Sequence, residues 1–90
     1  MQRAVTMPKK VVTRTQTGVR IESSLLKVLK GLAEYTGLTL GDLLEGIVLH
    51  SFEGKAPFSS DTQKIIEQLK SVYGCNLTAN DSHMLTEEKR

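Results

Sequence analysis

Tryptophan is absent from this 90-residue chain, and the aromatic side chains are only Tyr35, Phe52, Phe58 and Tyr73. So few large side chains in so short a chain give a thin core, and association between copies is the expected source of further burial. The single cysteine, Cys75, excludes an intrachain disulfide framework and fits a reducing compartment. No apolar run approaches the ~20 residues needed to span a bilayer. No apolar stretch follows the basic N-terminal residues, as a secretory leader would require. With 39% hydrophobic and 24% charged residues, the chain reads as folded rather than disordered. One soluble, cytoplasmic domain with tails is the expectation.

Charge of one sign is missing from the start of the chain. Residues 1–21 carry Arg3, Lys9, Lys10, Arg14 and Arg20 and no acid. Residues 22–54 reverse the balance, with Glu22, Glu34, Asp42, Glu45 and Glu53 against Lys27 and Lys30. Residues 55–90 are balanced, so the net charge of +2 conceals a basic leader on an acidic body. Such a leader is an electrostatic footprint for a polyanion. A charge run alone also fits a solvated tail, so structural context has to decide.

Residues 1–11 lack periodicity and read as a flexible basic arm. From Val12 to Ile21, β-branched residues recur at Thr13, Thr15, Thr17, Val19 and Ile21, with Arg14, Gln16, Gly18 and Arg20 between them. That alternation predicts a half-exposed strand. As the one strand in the chain, it would need a partner from a second copy.

Three helices are expected after it. The first runs from Ser23 to about Tyr35, with Leu25, Leu26, Leu29, Leu32 and Ala33 on one stripe. Glu22 or Ser23 can cap its start, and Gly37 suits a left-handed end. The second opens with Thr39 as cap and Asp42 three residues on, flanked by the staple pair Leu38 and Leu43. It continues through Leu44, Ile47, Val48, Leu49 and Phe52 to Gly54, apolar on more than one side, which calls for burial by another chain. Gly41 and Gly46 within it cost about 1 kcal/mol each against Ala, and Gly46 suggests a close helix approach. After a linker with Pro57, Ser60-Asp61-Thr62-Gln63 opens a third helix to about Tyr73, stopped by Gly74. Residues 75–90 read as a flexible polar tail.

This order of basic arm, alternating segment, helix, Gly-containing turn and capped helix resembles the ribbon–helix–helix repressors, the Arc/MetJ-like DNA-binding family. The resemblance is carried by Thr15-Gln16-Thr17-Gly18-Val19-Arg20-Ile21-Glu22-Ser23-Ser24-Leu25-Leu26, by Gly37-Leu38-Thr39 and by the helix through Ser51-Phe52. It covers residues 12–54, about half of the chain. It implies a mainly α fold with one β-strand. Two copies would intertwine through a two-stranded antiparallel ribbon, with residues 55–74 adding a linker and third helix. The ribbon of that family enters the major groove, where base edges present distinguishable donors and acceptors. Period 2 then assigns Gln16, Gly18 and Arg20 to base reading, although Gly18 has no side chain to read with. Arg20 suits a guanine edge and Gln16 an adenine. Lys9, Lys10 and Arg14 suit backbone phosphate, as do the free amides of Thr39, Leu40 and Gly41 at a positive helix end. Val19, Ile21, Leu44, Val48 and Phe52 become the dimer core.

His50, His83 and Cys75 are too scattered for a metal site, and no nucleophile–base pair or phosphate loop is present. No catalytic residue, metal or cofactor is expected. The expected function is sequence-specific binding of double-stranded DNA by a homodimer, or by higher-order assemblies on DNA, that represses transcription by occlusion. The alternative is an antitoxin-type protein, whose residues 55–90 grip a protein partner while DNA binding serves autoregulation.

Overall fold

Three start signals and three stop signals in the sequence produce three helices in the computed structural model, which describes residues 10–88. Helix α1 spans Ser23–Thr36, α2 spans Leu40–Phe52 and α3 spans Ser60–Tyr73. Glu22 caps α1: its carboxylate accepts from the Leu25 amide at 2.9 Å and from the Ser24 hydroxyl at 2.6 Å. These donors hold the Glu22 carboxyl below the usual carboxylate range, the Ser24 hydroxyl contributing most. Thr39 caps α2, accepting from the Asp42 amide at 3.1 Å. Ser59 caps α3, one residue earlier than the sequence suggests, accepting from the Thr62 amide at 3.2 Å.

The stops are equally local. Gly37 (φ 76°) and Gly74 (φ 66°) end α1 and α3 in the left-handed conformation, which a Cβ disfavours. Beyond each glycine the next amide reaches back into the last turn, Leu38 to the Ala33 carbonyl at 2.9 Å and Cys75 to the Lys70 carbonyl at 2.8 Å. Orphan carbonyls are thereby satisfied within the chain.

Helix α1 is the central element and packs chiefly on α3, less extensively on α2. Leu32 is 1% exposed, and with Ala33 and Leu43 it forms the core. Leu29, Ile47, Phe58, Ile65, Ile66 and Leu69 close around them. Gly31 permits the α1–α3 approach. A Cβ there would lie 3.1 Å from Leu69 Cδ2, tighter than ordinary contact. After α3 the chain doubles back. Lys70 Nζ donates to the Leu77 carbonyl at 2.9 Å, and a short 3-10 turn follows at Ala79–Asp81. The Asp81 carboxylate accepts from the Thr78 amide at 2.8 Å. Leu77 and Leu85 line one open groove with Leu25, which brings the segment to the start of α1. No helix among the described residues is long and apolar enough to cross a membrane.

The fold class implied by the family resemblance is corrected by this structure. The described residues are all-helical, with no strand and no ribbon. Residues 10–22 have no regular secondary structure, and Thr13, Thr15, Thr17 and Val19 are as exposed as Arg14, Gln16 and Arg20. Only Ile21 is half-buried. The physical reason is that alternation specifies which side chains would share a face, whereas a strand requires a ladder of backbone hydrogen bonds. The chain holds one alternating run, so nothing within it completes a ladder.

Candidate functional site

The segment from Lys10 to Ile21 contains bases and no acid, and it lies outside the packed helices. Two arginines tie it to the rest of the molecule. Arg14 forks onto Glu45 of α2, with Nε 2.8 Å from Oε2 and Nη2 2.9 Å from Oε1, and Nη2 also meets Asp42 Oδ1 at 3.5 Å. Arg20 forks onto Glu87 in the returning C-terminal segment, its Nε 3.0 Å from Oε1 and its Nη2 on Oε2. Paired planar groups of this kind give directional, charge-assisted hydrogen bonds.

Each pair shifts its members apart in protonation. The Arg14 hydrogen bonds hold the Glu45 carboxyl below the usual range, and Arg20 does the same to Glu87. The hydrogen bonds that Arg14 and Arg20 donate to Glu45 and Glu87 raise the two arginines in turn. All four side chains remain largely in water; Arg20 is 82% and Glu87 63% exposed. Such pairs are screened by salt and exchange partners readily.

Of the residues assigned to base reading, Gln16 and Arg20 are exposed on this segment. Gly18 is not in the left-handed region, and a Cβ there would meet open space. Nothing within the described chain requires glycine at that position.

Of the phosphate-binding set, Lys10 is exposed and Lys9 lies outside the described residues. Arg14 is brought against the first turn of α2 by Asp42 and Glu45, beside Thr39, Leu40 and Gly41. Arg14 therefore reaches this end of α2 through the carboxylates of Asp42 and Glu45. Asp42 occupies the position where a capping box would return its carboxylate to Thr39, and that carboxylate meets Arg14 instead.

The residues expected at a dimer core are spread between two environments. Ile21 and Leu44 are half-buried, whereas Val19 is 75% exposed, Val48 is exposed and Phe52 is 81% exposed. With Leu49 at 63%, Val48 and Phe52 give α2 an uncovered apolar face.

The side chains missed by sequence reasoning are Glu45 and Glu87, the partners of the two arginines. Asp42 and Glu45, three residues apart, share a helix face beside a basic leader, which is a readable signal. Glu87 had none, because its position depends on the path of residues 75–86.

His50 donates from Nδ1 to the Gly46 carbonyl at 2.7 Å, and Cys75 is buried. No group of three or more His, Cys, Asp or Glu residues is placed to hold a metal ion among the described residues. Comparison of the chain with protein-family models, curated proteins and solved structures finds no match.

Proposed function

We propose that this protein binds double-stranded DNA through residues 10–22 and regulates transcription, most simply as a repressor that occludes its site. One observation carries the reading: an exposed run without regular secondary structure holds Lys10, Arg14, Gln16 and Arg20 with no acid until Glu22. The guanidinium of Arg20 is the base-reading group, because its fork matches the two acceptors of a guanine edge. Gln16 adds a donor–acceptor pair suited to adenine. Lys10 and Arg14, with the amides at the start of α2, take the phosphate backbone and supply the salt-dependent part of the affinity. Arg14 and Arg20 exchange a carboxylate for a nucleic-acid acceptor when DNA arrives. Arginine–carboxylate pairs in water make that exchange inexpensive.

The same reading puts a second copy of the chain on the exposed face of α2. Only Val28, Leu32, Ala33, Leu43 and Cys75 are buried among the described hydrophobic residues, a thin core for 90 residues. Contact between copies through Val48, Leu49 and Phe52 would add the missing burial, and symmetric pairing is the commonest solution.

The test is selection of bound sequences from random duplex DNA, followed by titration of the winner and of a scrambled duplex. The wild type prefers the winner, with affinity falling steeply as salt rises. Arg20→Ala loses about tenfold or more on the winner and little on the scrambled duplex. Arg14→Ala weakens both alike and flattens the salt slope. Equal, salt-insensitive or absent binding to all duplexes overturns the reading.

A further inference from the structure

The Arg20–Glu87 fork joins residues 67 positions apart in sequence, and it is the end point of an ordered path. Lys70 pins the Leu77 carbonyl, and the Thr78–Asp81 turn redirects the chain. His83 adopts φ 66°, a left-handed bend uncommon for a residue with a side chain. Leu77 and Leu85 line one groove with Leu25, and Glu87 arrives at the guanidinium. An acidic group delivered in this way presents two oxygens to Arg20 in the geometry a nucleic acid would use.

We propose that residues 77–88 form an autoinhibitory latch, in which the Glu87 carboxylate occupies the Arg20 fork and must leave before Arg20 contacts DNA. This inference rests on the DNA-binding reading above. The latch acts by competition: the free protein carries a carboxylate where the bound protein carries a base edge or phosphate. Because the pair is solvent-exposed, the latch is weak and strongest at low salt. It raises the threshold for non-specific encounters, where Arg20 gains little, more than for a matched site, where the full fork is replaced.

Glu87→Gln keeps the shape and removes the charge. Glu88→Gln removes the same charge from a neighbour that forms no ion pair among the described residues. Duplex affinity of the full chain is measured for the wild type and both variants at low and high salt. Trypsin cleavage after Arg20 and thermal unfolding are followed in parallel.

The latch predicts that Glu87→Gln binds about three- to fivefold more tightly at low salt, with the gain shrinking as salt rises. Glu88→Gln changes affinity by less than twofold. Cleavage after Arg20 accelerates in Glu87→Gln alone, with the melting temperature unchanged. If Glu87→Gln binds no better than Glu88→Gln while the wild type binds DNA, the latch is wrong and the DNA reading stands. Weaker binding by Glu87→Gln makes Glu87 a support for the segment rather than a competitor, and also overturns the latch. If none of the three proteins binds duplex DNA, the functional reading fails and the latch fails with it.

Discussion

Helices α1 and α2 are neighbours of nearly equal length, with 14 and 13 residues, yet they use their apolar residues in opposite ways. Helix α1 buries Val28, Leu32 and Ala33, the last two in the core shared with α2 and α3. Helix α2 is the more apolar in composition, but Leu43 alone is buried, and Val48, Leu49 and Phe52 face outward. Hydrophobic content therefore does not measure burial. The stripe on α1 matches the surface that α3 and α2 offer, while the stripe on α2 is wider than the one helix it rests against.

The largest expected effect would break this contrast at its centre. Leu32→Ala empties the best-buried position and costs about 2–4 kcal/mol, measured by urea unfolding. Phe52→Ala at low protein concentration changes stability by less than about 0.5 kcal/mol, because the side chain is in water. If a second copy covers α2, the melting temperature rises with protein concentration in the wild type, and Phe52→Ala removes that dependence. A cost for Phe52→Ala equal to that of Leu32→Ala, at every concentration, would erase the distinction.

The caps sharpen the comparison. Helix α2 starts on a hydroxyl, so Thr39→Ala costs about 1 kcal/mol at any pH. Helix α1 starts on a carboxylate whose protonation is resisted in the folded state. Stability from a depressed carboxyl is fully present above its unfolded value and is lost as pH falls through its folded one. Glu22→Gln is therefore expected to destabilise near neutrality, with the difference from wild type closing between about pH 5 and pH 3. Unfolding midpoints across that range check both variants. A Glu22→Gln effect that persists at pH 3 would assign the cap to shape rather than charge.

The glycines give small effects. At Gly46 a Cβ meets open space, so Gly46→Ala stabilises isolated α2 by about 0.5–1 kcal/mol through propensity alone. At Gly31 the same gain is offset by displacement of Leu69, and Gly31→Ala comes out near zero. If Gly46→Ala destabilises only at high protein concentration, a neighbouring copy approaches closely there.

What the sequence made legible was whatever a few adjacent residues decide. Glu22, Gly37, Thr39 and Gly74 mark helix ends because a cap or a left-handed turn needs nothing distant. The pattern from Thr13 to Ile21 was misread as a strand because its partner would have to come from elsewhere, and local alternation is silent on that. The same limit explains the site. Arg14, Gln16 and Arg20 are exposed as their positions in the segment suggest, but so are Thr13, Thr15, Thr17 and Val19 between them, so the alternation did not sort the two faces. The arginines' carboxylate partners Glu45 and Glu87 lie 31 and 67 residues away, where only the folded path decides proximity. The seating of Leu69 against Gly31 escaped for a similar reason, since the missing methyl makes sense only once α3 is in place.

That bare notch on α1 bears on the order of events during folding. A helix carrying glycine at its packed middle is a poor nucleus by itself, since elongation through residue 31 is penalised until Leu69 fills the gap. A peptide of residues 22–37 alone is then mostly coil, and α1 acquires its rigidity together with α3. The expected outcome is that Leu69→Ala slows refolding as well as hastening unfolding, read from the two arms of a chevron.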